Sequence, residues 1–119
     1  MGGMGGIEGM ADVHQICPRF HAAIELIGAR WTGAILVALM EGQNRYALIK
    51  AAVPGLSDTM LAERLRTLET EDIVERRVIP SSPVQVEYYL TAKGRDLEQV
   101  VKTVEAWSHK WIAAPVTSG

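Results

Sequence analysis

At 119 residues, with 48% of positions hydrophobic and 22% charged, the chain suits one compact domain burying roughly two thirds of the surface its unfolded form exposes. A net charge of −2 excludes a polycation that binds nucleic acid by bulk charge, so any such contact must come from local clusters of arginine and lysine. The single cysteine excludes an intrachain disulfide, and no apolar run approaches the roughly 20 residues of a membrane span, so a cytoplasmic protein without membrane contact is expected.

The opening MGGMGGIEGM has neither the basic region nor the apolar stretch of a secretion signal. Residues 1–12 are expected to be a disordered leader, 13–114 the folded domain and 115–119 a flexible tail. In CPRFHAAIELIGARW, Pro18 fits a first helical turn, and Ile24, Ile27 and Trp31 recur at helical spacing with Gly28 as a break or a close-packing point. This is helix one. WTGAILVALMEG sets Trp31, Ile35, Leu36 and Leu39 on one side and stops at Gly42, giving helix two. NRYALIKAAVPG offers Asn44 as a cap and Tyr46, Leu48 and Ile49 as apolar contacts of a short helix three, before Pro54-Gly55 forces a turn.

Helix four is the most regular element. Ser57 can cap it, Leu56 and Leu61 occupy the two positions of a hydrophobic staple, and Leu61, Leu65 and Leu68 form a core-facing stripe. The opposite face collects Thr59, Glu63, Arg66 and Thr67, with Met60 and Arg64 on the flanks. IVERRVIP and VQVEYYL then alternate as two strands, with Val74 and Val78 on the first, Val84, Val86, Tyr88 and Leu90 on the second and Ser81-Ser82-Pro83 between them. Last, Thr91 caps a helix whose Leu97, Val101, Val104, Trp107 and Trp111 mark an apolar stripe that needs a partner.

Helix, helix, short helix, turn, helix, hairpin is the order of a winged helix-turn-helix: mainly α with a small β-hairpin wing, a homodimer through its N- and C-terminal helices. In such a unit the helix after the turn enters the major groove of double-stranded DNA while the hairpin tip meets phosphates or the minor groove. Candidate contacts on helix four are Ser57, Thr59, Met60, Glu63, Arg64 and Arg66. Arg45 and Lys50 on helix three and Arg76 and Arg77 on the wing add local positive charge, although Glu63, Glu69, Glu71, Asp72 and Glu75 interleave with it. Alternation sends Arg76 and Arg77 to opposite faces, so only one of them can follow a groove.

Several stretches together carry a resemblance: CPRF, LIGARW, NRY, PGLSDTMLAERLRTLE, IVER, VEYYLTAKG and the tryptophan-bearing last helix, spanning residues 17 to 111. In this order and spacing they resemble the HxlR-type transcriptional regulators, relatives of the MarR class. The resemblance implies a winged-helix homodimer, with some members answering to electrophiles or oxidants through a cysteine at the position of Cys17. Arg30 stands where the family often has lysine and keeps a charge that can meet phosphate. Asp58-Thr59 and Glu63 stand where glutamine and lysine are common, so operator sequence is not inherited from relatives.

Cys17 precedes Pro18 and is expected to cap helix one, where unpaired amides, the helix dipole and neighbouring Arg19 favour a thiolate. His14, Cys17 and His21 form H-x2-C-x3-H, but a structural zinc site needs a fourth ligand and none lies nearby, so neither metal nor other cofactor is expected. A catalytic Cys-His pair likewise lacks an orienting partner and an oxyanion site, so no enzyme activity is expected. The reading is therefore a dimeric transcriptional regulator, expected to repress, that senses through Cys17. Its rivals are a regulator binding a small apolar effector at the dimer interface, a winged-helix module that binds protein, and a thiol enzyme.

Overall fold

In the computed structural model the described residues are 15–114. The expected leader and tail, and His14 with them, lie outside that range. Helix α1 (Pro18–Ile27) is followed by α2 (Thr32–Met40), α3 (Tyr46–Ala52), α4 (Asp58–Thr70), strands β1 (Val74–Ile79) and β2 (Gln85–Leu90), the short α5 (Ala92–Arg95) and α6 (Leu97–Trp111). Ile35, Leu36 and Leu39 of α2, Ile49 of α3, Leu61, Leu65 and Leu68 of α4, and Ile73 and Val74 form one buried cluster. Each such side chain contributes about 1.5–3 kcal/mol relative to exposure.

Helix α4 is built as the sequence leads one to expect. Ser57 Oγ accepts from the Met60 amide at 3.1 Å, and Leu56 and Leu61 are both buried, closing the cap and the staple. The helix ends at Glu71-Asp72, where Asp72 takes a left-handed φ of 62°. Thr91 Oγ1 donates to the Asp72 carbonyl at 2.6 Å and Lys93 Nζ to the Glu71 carbonyl at 2.6 Å, fixing the angle at which the chain leaves α4 for the wing.

Strands β1 and β2 pair antiparallel, Val74 opposite Leu90, Arg76 opposite Tyr88, Arg77 opposite Glu87 and Val78 opposite Val86. The valines and Leu90 therefore share one face and Arg77 lies on the other, as alternation requires.

Four local expectations need correction. Asn44 does not cap α3: Arg45 holds that position without a side-chain bond. Asn44 instead donates through Nδ2 to the Tyr88 carbonyl at 2.7 Å and accepts the Tyr88 amide at 2.8 Å, so the chain before α3 pairs briefly with β2. Trp31 does not continue the stripe of α1. That helix stops at Ile27, and Trp31 sits in a left-handed conformation (φ 76°) at the start of α2, the two helices being bent by 75°.

Thr91, moreover, caps only the four residues of α5, accepting from the Gly94 amide at 3.0 Å, and α6 starts anew after Asp96. Gly94 permits this tight corner, because a Cβ there would lie 2.2 Å from the Ile73 carbonyl oxygen. Finally, Leu97 and Val101 pack on their own chain's core, so only the later part of the α6 stripe is uncovered. No single helix among the described residues is long and apolar enough to cross a membrane.

Candidate nucleic-acid interface

With Leu61, Leu65 and Leu68 buried, α4 presents Thr59, Glu63, Arg66 and Thr67 outward, all exposed. The flanks differ. Met60 is half-buried, part of its side chain packed against the core. Arg64 turns inward: its Nε donates to the Arg30 carbonyl at 2.9 Å and its Nη1 to Glu63 Oε1 at 3.0 Å. Ser57 spends its hydroxyl lone pair on the helix cap.

Helix α3 is fastened to the start of α4. Tyr46 Oη donates to the Asp58 carbonyl at 2.9 Å, and Lys50 Nζ lies 3.7 Å from Asp58 Oδ1. Burial, then the charge of Asp58 and the neighbouring Tyr88, raise the Tyr46 hydroxyl above its ordinary value. Lys50 is thus half engaged with a carboxylate, while Arg45, exposed at the N-cap of α3, faces the wing.

The outer face of the wing holds a linked set of side chains. Arg77 Nη2 bonds Glu75 Oε1 at 3.0 Å, and its guanidinium lies 3.9 Å from the Tyr89 ring centre. Tyr89 Oη donates to Glu87, a bond that is the main reason its hydroxyl pKa is raised. Arg45 Nε lies 3.8 Å from the other Glu87 oxygen. Arg45 thus pairs with Glu87 and Arg77 with Glu75, and Tyr89 links the two pairs by bonding Glu87 while its ring lies under Arg77; Arg76 is on the opposite face and stays outside the set. Glu87 and Tyr89 were not singled out from sequence. The signal was present in the pairing of VERR with VEYYL, since cross-strand neighbours on one face interact.

Away from this surface, Cys17 occupies the N-cap position of α1 and is exposed. The His21 imidazole faces Glu25 at 3.4 Å, one helical turn on. Among the described residues no three His, Cys, Asp or Glu converge as metal ligands. Helices α1 and α6 bury no residue in their own chain. Phe20, Ile24, Val104, Trp107 and Trp111 remain exposed, Trp107 at 58% and Trp111 at 65%. Between these helices and α2 runs an open cleft of about 310 Å³ bordered by Ile24, Val37, Val101 and Val104.

Residues 26–115 match the model of the family described as HxlR-like helix-turn-helix. The chain is 42% identical over 98 residues to the HTH-type transcriptional regulator YvaP of Bacillus subtilis strain 168, covering 82% of this chain and 91% of that one. It is 44% identical over 96 residues to YodB of the same organism, also an HTH-type transcriptional regulator, covering 81% and 86%. The reduced form of YodB superposes with a TM-score of 0.72 over 86% of this chain and all of that one, at 41% identity. YodB has further been solved diamide-treated and quinone-bound. The oxidised form of the redox regulator HypR superposes with a TM-score of 0.75 at 32% identity, over 84% of this chain and all of HypR. With its helix-turn-helix, its wing and this similarity along most of its length, the chain belongs to the HxlR-like helix-turn-helix family and is a transcriptional regulator.

Proposed function

We propose that this regulator binds a pseudo-palindromic operator in cytoplasmic DNA as a homodimer, represses from it, and responds to electrophiles or oxidants through Cys17. The observation that carries the reading is the division of α4: three leucines buried on one side and an exposed polar face on the other, beside a wing whose cations face outward. Thr59, Glu63 and Arg66 meet base edges or nearby phosphates in the major groove, while Arg30, Arg45 and Arg77 meet phosphates. Phe20, Ile24, Val104, Trp107 and Trp111 pack against the same surface of a second copy. An uncovered apolar face of this extent on a chain this small supports that role. A two-fold dimer carries two α4 helices, and the operator then has half-sites about one turn of DNA apart.

Sensing is supported by the exposure of Cys17 on α1 and by the diamide-treated and quinone-bound forms of YodB. With one cysteine per chain, a quinone gives an adduct on sulfur, and diamide gives a mixed disulfide or a bond between subunits. Because α1 belongs to the proposed interface, modification changes the separation of the two reading helices. The test is operator affinity before and after quinone or diamide, with Cys17→Ser as control. Affinity that falls in the wild type and is unmoved in Cys17→Ser supports the reading; affinity indifferent in both removes Cys17 as sensor. The cleft beside α1, α2 and α6 favours a second reading, a small apolar effector, since its size and lining suit one. Such an effector acts equally on Cys17→Ser.

A further inference from the structure

We propose that Arg64 is a positioning residue: it ties the reading helix α4 to the corner that joins α1 to α2, and it does not itself touch DNA. The proposal rests on α4 being the reading helix. By helical periodicity Arg64 lies on the flank of α4, where a cation beside an exposed face invites a phosphate. Its surroundings argue otherwise. The side chain is only 20% exposed. Nε donates to the Arg30 carbonyl at 2.9 Å, across 34 residues of sequence, and Nη1 bonds Glu63 at 3.0 Å. Two of its five donors are thus committed to charge-assisted bonds that hold the guanidinium against the Arg30 carbonyl and Glu63.

The same corner touches the helix-turn-helix at a second point. Trp31, next to the accepting carbonyl, is held at φ 76°, a conformation that residues other than glycine seldom take. Its ring lies against the turn before α4, where a Cβ on Gly55 would come 3.4 Å from it. Gly55 itself needs φ +89° to make that turn. The Arg30 guanidinium lies 5.1 Å from the Trp31 ring. The corner thus braces α4 in its second turn through Arg64 and at its approach through Trp31. Helix α1 buries no residue fully and packs on the core only through Leu26, so this brace is a direct link between the end of α1 and the reading helix.

The test uses full-length protein and a DNA duplex that the wild type selects from a randomised pool, titrated at several salt concentrations. A side chain that neutralises a phosphate contributes about 0.9 to the slope of log affinity against log salt, and one that only positions contributes nothing. Arg64→Gln is expected to weaken binding by about ten- to a hundredfold with the slope unchanged, while Arg66→Ala lowers the slope by about one. Arg64→Lys keeps the charge and the stem but lacks the Nε donor. It is expected to show the same loss at the same slope, and it replaces the glutamine variant if that one fails to fold by circular dichroism. A slope lowered by about one in Arg64→Gln and restored in Arg64→Lys, or affinity unchanged in both, overturns the assignment. A wild type without salt-dependent selection of any duplex overturns the reading of α4 as well.

Discussion

Helices α4 and α6 are both amphipathic, and they use that property in opposite ways. In α4 the apolar stripe is consumed: Leu61, Leu65 and Leu68 lie in the core with Ile49 and Leu36, and the polar side remains for recognition. In α6 only Leu97 and Val101 reach the core, and Val104, Trp107 and Trp111 stand in the open. An apolar stripe therefore reports that a partner is required, but not whether that partner belongs to the same chain. If a second copy covers the α6 stripe, as proposed, folding energy and assembly energy are separated along the molecule, and mutations should separate them too.

The sharpest test removes methyl groups from the core. Leu65→Ala is expected to lower unfolding free energy by about 2–5 kcal/mol, the cost of a lost contact plus a cavity, read from denaturant midpoints. A loss below 1 kcal/mol would mean that α4 is not anchored as described. On the other helix, Trp107→Ala is expected to weaken self-association by about ten- to a hundredfold, as a truncated aromatic anchor does, with the circular dichroism spectrum retained. Light scattering at falling concentration reads it. A wild type that is already monomeric at micromolar concentration would break the comparison at its α6 end.

Between these lies the α3–α4 junction. Tyr46→Phe removes the bond to the Asp58 carbonyl and is expected to cost about 0.5–1.5 kcal/mol near neutral pH. The Tyr46 hydroxyl is raised in the folded protein. Its contribution is therefore complete below the unfolded value of about 10 and is lost as pH rises through the folded one. The difference between wild type and variant should shrink above pH 10. A difference constant to pH 11 would remove burial of the hydroxyl as its cause. The smallest effect belongs to the wing: Arg77→Ala should lower DNA affinity several-fold, reduce the salt slope by about one and leave sequence preference unchanged. An altered preference would give Arg77 a base contact.

What was legible in the sequence follows the range of the forces involved. The cap, staple and leucine stripe of α4 are local patterns, and the structure repeats them residue for residue. So is the alternation that set Arg76 and Arg77 on opposite faces. Arg64 was placed correctly on its helix, but its bond to the Arg30 carbonyl was not foreseen, because no periodicity reveals a backbone acceptor 34 residues away. Asn44 has the chemistry of a cap, and a sheet edge claimed it. Gly28 marked a break and does end α1, but neither the left-handed Trp31 nor the new start after Asp96 has a local pattern in GARW or LTAKGRDLE that announces it. Membership of the family was readable from the order of motifs, whereas the pairing of Arg45 with Glu87 required the strand register.

That carboxylate bears on how the protein finds its site among the rest of the chromosome. If Arg45 and Arg77 take phosphates as proposed, Arg45 exchanges its pairing with Glu87, and Arg77 its bond to Glu75, for the new contact. Together with a net charge of −2, such exchange would weaken contact with bulk DNA, where backbone charge alone supplies the affinity.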